Sequence, residues 1–228
     1  VGHGDHLGGI RQTGGIRQTS PEEKGRTYMP LVKSDIEQFK PLKVFLGHIH
    51  KSQNIERVHY PGSPCGLDIT EVGKRKFLIY DTENSKISEC PIKTDILFFD
   101  DIFTIYPADD EIPRLKKEID RLIKSWKLDE SGRECVTLRV KARGFCKDKQ
   151  AIAALLKKKF ADFTFYKDTD PDVSELSVNN NKDLGIIAAA VKKEISNMDW
   201  GSSRNEEDPH DDEIMYEAIK VIYRKGAK

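Results

Sequence analysis

Cysteine is scarce in this chain: four occur in 228 residues, at positions 65, 90, 135 and 146. No two form a Cys-x-x-Cys pair, which argues against zinc knuckles and makes a reduced, cytoplasmic protein the expectation. Long apolar runs are missing too. None approaches the roughly 18 residues that a membrane span needs, and no signal peptide is evident. An excess of one charge is also lacking, since 38 Lys and Arg balance 38 Asp and Glu. A globally basic nucleic-acid binder is therefore not indicated, whereas a local basic face stays open. What is present is 37% apolar and 33% charged residues, enough for a core under a surface more charged than average. The length suits one large or two small domains. Val1-Gly2-His3-Gly4 reads as a strand end entering a loop, so the expectation is that residues precede Val1.

Residues 8–19 carry Gly-Gly-Ile-Arg-Gln-Thr twice. Two copies cannot build a solenoid, and the glycines predict a loop. A short helix is expected over 34–40, capped by Ser34 and carrying Ile36 and Phe39. Val44-Phe45-Leu46, closed by Gly47, suits a buried strand, with further strands over 57–60, 76–81 and 86–92. Composition shifts near 107. Asp109–Lys127 is amphipathic, with Ile112, Leu115, Ile119, Leu122, Ile123 and Trp126 on one face. After a break at Gly132, a strand over 135–140, a helix over 149–160 and a strand over 163–166 form a small α/β unit, followed by a helix over 184–195. The polar stretch 199–212 reads as a linker, and 213–224 as a helix with Met215, Ala218, Ile219, Ile222 and Tyr223 on one side. This order predicts an α/β fold with domains at 1–106 and 107–198, a linker at 199–212 and a tail helix within 213–228.

The segment with the most chemistry is Leu46-Gly47-His48-Ile49-His50, at the end of an apolar strand where loops commonly carry active sites. Two histidines at i and i+2 after a glycine turn offer imidazole ligands to zinc, manganese or iron. The same pair could also be solvated loop residues. His59, in a candidate strand, reads as structural, and His210 as solvated.

Leu46-Gly47-His48-Ile49-His50-Lys51-Ser52-Gln53, followed by Tyr60-Pro61-Gly62-Ser63-Pro64, is similar to the last metal motif of the SbcD-type repair exonucleases, members of the calcineurin-like phosphoesterase superfamily. A strand with Glu and Lys follows in that family, here from Glu71 to Lys76 and Phe77-Leu78-Ile79. His3-Gly4 resembles its preceding metal histidine, and Ser174–Val178 a stretch late in its accessory domain. The resemblance is specific over 44–81 and loose after 107. It implies the C-terminal half of a calcineurin-like β-sandwich core, a small α/β capping domain, and a two-metal centre, usually manganese-supported, that hydrolyses DNA phosphodiesters with a metal-bound hydroxide. By motif position His3 and His48 would bind one metal and His50 the other. It further implies a DNA repair complex with an SMC-like ABC ATPase of the SbcC type, and a homodimer of the complete protein. The family's Asp-x-His pair, bridging Asp and Asn-His pair, including the general-acid histidine, have no counterpart ahead of the Gly47–His50 motif, where the family carries them. They are expected upstream of Val1 or on a separate chain, so residues 1–228 alone are expected to be inactive.

Alternatives belong beside this reading. His3-Gly4-Asp5-His6-Leu7-Gly8-Gly9 resembles part of the metallo-β-lactamase metal motif, although Val1 stands where that family has another histidine. On the nuclease reading Asp5 and His6 are loop residues. A non-catalytic DNA-binding or scaffold subunit is a second alternative, and a phosphoesterase of nucleotides or phosphoproteins a third. Lys141, Arg143, Lys157 and Lys158 form basic clusters that could meet DNA or simply be solvated. Met215, Ile219, Ile222 and Tyr223 could pack on their own domain or dock the ATPase.

Overall fold

The computed structural model describes residues 1–7, 28–198 and 209–225. The protein is α/β, with several small sheets interleaved with helices. It divides into two compact units, Val1–Phe99 and Asp100–Lys228, where the sequence reading set a boundary at 106/107. The repeat at 8–19 and most of the acidic stretch, 199–208, lie outside the described residues. No described helix is long and apolar enough to cross a membrane.

The first unit is organised by β4 (Val44–Gly47), the apolar run singled out above. Beside it lie β1 (Gly2–His3) and β6 (Val58–Tyr60), both parallel to it, and β5 (Gln53–Ile55) runs antiparallel to β6. Leu46, Val58 and Tyr60 form the buried centre, with Leu31, Ile36, Val44 and Ile49 around them. The Tyr60 hydroxyl donates to the Gly4 carbonyl at 3.0 Å, tying β6 to the chain after β1. The pair β2 (His6–Leu7) and β3 (Leu31–Val32) leads into α1 (Lys33–Phe39). Here the expected cap is corrected. Ser34 lies inside the helix, and Asp35 performs the reciprocal contact by accepting from Val32 N at 2.9 Å. Of the two expected apolar anchors, Ile36 packs on the centre while Phe39 is exposed. β7 (Arg75–Asp81) and β8 (Lys86–Ile92) form an antiparallel hairpin, and Tyr80 of β7 meets Phe45 of β4 at 5.6 Å between ring centroids. Asp81 nucleates the turn by accepting from Glu83 N and Asn84 Nδ2.

The second unit is built on β10 (Val136–Cys146), whose burial alternates along its whole length, with Val136, Leu138, Val140, Ala142, Gly144 and Cys146 inward. β9 (Leu97–Ile105) pairs with it. β11 (Thr164–Phe165) runs parallel to its first half and β12 (Leu176–Val178) parallel to its second. The amphipathic reading of α2 (Glu111–Ser125) holds in its middle, where Leu115 and Ile119 are buried, but Ile112 is exposed. A short α3 (Glu130–Glu134) spans the expected break at Gly132. α4 (Lys149–Lys159) is capped by Asp148, which accepts from Gln150 N and Ala151 N. α5 (Lys182–Asn197) is capped by Asn181 in the same way.

The tail helix α6 (Asp211–Lys225) begins inside the stretch read as linker. Met215, Ile219 and Tyr223 are buried in one cluster with Tyr106, Ala188 and Ile195, and Ile222 packs against it. Tyr223 stacks on Phe145 at 4.3 Å between centroids. The apolar face expected to be available to a partner is thus corrected to a face of this unit's own core. A helix this short gains its stability from burying that stripe, here against Ala188 and Ile195 of α5 and against Tyr106.

Candidate functional site

The histidines gather at the carboxyl ends of β1 and β4. His3 is matched in register with Gly47, and its ring occupies the space a side chain there would fill. A Cβ at Gly47 would lie 2.7 Å from His3 Nδ1. His48 follows with φ +84°, a conformation rare for a residue with a side chain. Its ring meets that of His3 edge-on, with centroids 5.4 Å apart. Tyr28 stacks on His48 at 5.0 Å and touches His3 edge-on at 5.6 Å. Asp5 joins the group. One carboxylate oxygen is 3.7 Å from His48 Nε2, and the other accepts from Tyr28 N at 2.7 Å.

His50 belongs to a second arrangement. Its Nδ1 is 2.7 Å from Glu71 Oε1, while Glu71 Oε2 accepts from Ser63 Oγ at 3.0 Å and from Leu67 N at 3.2 Å. Burial alone would raise the Glu71 pKa. Hydrogen bonds from His50, Ser63 and Leu67 more than offset this and hold the carboxyl below its ordinary range. Arg75 braces the same loops, donating to the carbonyls of His50 and Glu71. Gly62, at φ +87°, lets the Tyr60–Pro64 segment pass under His50, since a Cβ there would sit 2.8 Å from the His50 carbonyl oxygen. The next residue returns a hydrogen bond, Ser63 N to His50 O, at 3.0 Å.

The remaining sequence candidates lie apart. His6 lines a different cavity with Lys33, Ile36, Glu37, Lys40, Glu56 and Arg57, so the His3-x-Asp5-His6 set does not converge. Burial lowers the pKa of His6, with Glu56 partly opposing that. His59 is buried in β6 with Nδ1 2.8 Å from Asn54 Oδ1, and burial, reinforced by Lys43, lowers its pKa. Asp68 turns its carboxylate onto Thr70 N and Oγ1. Among the described residues, no three His, Cys, Asp or Glu side chains are grouped so as to hold a metal ion. The described donors alone therefore do not make up a metal site.

The basic residues do not merge into one stripe. Lys141 and Arg143 lie on the half-buried side of β10, and Lys157 and Lys158 are exposed on α4. Arg143 sits over the Tyr216 ring at 4.2 Å, and Lys157 pairs with Asp170 at 2.8 Å. Close by, Arg139 is bound bidentately by Asp100, and Lys159 pairs with Asp120. Much of the positive charge is thus answered within the unit.

Sequence reading missed Glu71, Tyr28 and Asp5 as members of the site. Glu71 stood in the resembling segment without a role, and its contact with His50 spans 21 residues. Tyr28 follows the repeat loop, and no spacing links it to His48.

A scan against protein-family models and a search of curated proteins each found no match for this chain.

Proposed function

We propose that this chain is the C-terminal part of a DNA nuclease subunit of the SbcD type, a metal-dependent phosphodiesterase with a calcineurin-like core and a capping unit that works with an SMC-like ABC ATPase. The observation that carries the reading is the placement of His3 and His48. The two imidazoles lie together at the carboxyl ends of adjacent parallel strands, where α/β proteins commonly bind ligands, and His50 follows two residues on. The motif resemblance over 44–81 supports the same assignment. On this reading His3, His48 and His50 are part of a donor set for two divalent ions, manganese foremost, and the remaining donors come from outside residues 1–228. The chain's own part is to hold the imidazoles. Gly47 makes room for His3, Tyr28 and Asp5 flank His48, and Glu71 faces His50.

The test is His50→Ala in the complete nuclease. Manganese-dependent cleavage of a labelled duplex is expected to be lost while the circular-dichroism spectrum is kept. Near-normal cleavage overturns the reading. One observation favours the second reading, a non-catalytic DNA-binding or scaffold role: no group of three donors is assembled among the described residues. Retained DNA binding with no cleavage by the complete protein would select it.

A further inference from the structure

Glu71 is the most fully engaged carboxylate near the histidines. Three donors surround it, and a carboxylate at neutral pH can only accept hydrogen bonds. Ser63 Oγ and Leu67 N both address Oε2. The 2.7 Å contact at Oε1 then requires the proton to sit on His50 Nδ1. A neutral histidine side chain in water favours the opposite tautomer, with the proton on Nε2, so this carboxylate works against the intrinsic preference. We propose that Glu71 is a positioning residue that locks His50 in the Nδ1–H tautomer and leaves the Nε2 lone pair free to bind. The proposal deepens the nuclease reading, on which it rests only for what Nε2 meets.

The surroundings make the lock rigid. The Ser63 bonds to His50 O and Glu71 Oε2 join the two loops directly, and Arg75 joins their carbonyls a second time. An imidazole fixed at one nitrogen by a carboxylate has its plane and its other lone pair fixed as well.

The conservative variant gives an opposite result rather than a weaker one. In Glu71→Gln the side chain keeps its shape but has a single carbonyl oxygen. Ser63 Oγ–H and Leu67 N–H are both donors and claim that oxygen, so the amide NH₂ turns to His50. Nδ1 must then accept, and the proton moves to Nε2.

The experiment is long-range proton–nitrogen correlation NMR on the histidine-labelled chain at about pH 8.5, roughly two units above the ordinary imidazole pKa. His50 is assigned by the signal missing in His50→Ala. The wild type is expected to show a protonated Nδ1 and a bare Nε2, and Glu71→Gln the exchanged pattern, with the other histidines unchanged. A wild-type His50 protonated on Nε2, or as an even mixture, overturns the proposal. So does a Glu71→Gln spectrum that keeps Nδ1–H. The wild-type spectrum decides even if the variant fails to fold. The nuclease reading falls by a different result, retained cleavage in His50→Ala, so the two can fail separately.

Discussion

Gly47 lies across from His3 on the neighbouring parallel strand, and a Cβ at Gly47 would come within 2.7 Å of the His3 ring. Gly47→Ala therefore forces the ring to rotate or the strands to part. Overpacking of this kind costs about 1–3 kcal/mol. The expected outcome is a lower melting temperature together with loss of the His3–His48 ring-to-ring NOE. An unchanged NOE and an unchanged melt would show that the ring has room elsewhere.

Residues 1–228 taken alone should bind manganese weakly and cleave no DNA. Among the described residues, His3, His48 and His50 are not joined by enough donors to replace the water around a divalent ion. Calorimetry with manganese and a labelled-duplex assay check this. Strong binding, or robust cleavage, would mean that donors such as Asp5 or Asp68 complete a site by moving.

Ile219 is fully buried, so Ile219→Asp should destabilise the second unit rather than spoil a docking face. An unpaired carboxylate in that cluster, added to the lost apolar burial, is expected to cost about 3–5 kcal/mol. Val221→Asp, at an exposed position on the same helix, should cost less than about 0.5 kcal/mol. Urea unfolding of both variants checks the contrast. Equal effects would place α6 outside the core.

Asp101 carries a pH signature. Burial, reinforced by the neighbouring Asp100, raises its pKa to about 6, and Oδ2 has no hydrogen-bond partner among the described residues. A carboxyl that titrates higher when folded binds more protons in the native than in the unfolded chain. Its contribution to stability is therefore greatest below the ordinary aspartate pKa near 4 and declines as pH rises to about 6, then levels off. The decline amounts to about 3 kcal/mol at most. Asp101→Asn should remove it, which urea melts at pH 4 and pH 7 can read. A wild type with the same pH dependence as the variant would refute the assignment.

Most elements were legible because their side chains repeat at the right period. β10 shows where that legibility stops. Val136, Leu138 and Val140 advertise a strand, but the inward positions then shrink to Ala142, Gly144 and Cys146 while Lys141 and Arg143 stand between them, so its second half reads as a basic cluster. β9 was missed because Asp100 and Asp101 interrupt its apolar residues. Asp100 is answered by Arg139, 39 positions away. In the site the same division holds. Gly47, His48 and His50 sit within four residues and are visible as a motif. Tyr28 and Glu71 act through contacts that only folding creates, at separations no local pattern records. The tail helix had a readable apolar face, but the identity of its cover depended on Ala188 and Ile195 of α5 and on Tyr106, which sequence alone leaves unassigned.

The packing of α6 has a consequence for synthesis. Tyr106, Ala188 and Ile195 leave the ribosome well before the residues that cover them, Met215, Ile219 and Tyr223. At about 5–20 residues per second, the interval from Met198 to Tyr223 lasts roughly one to five seconds. During it the nascent second unit displays an apolar patch on α5 with nothing to close it. A released chain that stops before Met215 lacks that cover, so Tyr106, Ala188 and Ile195 should stay open to solvent.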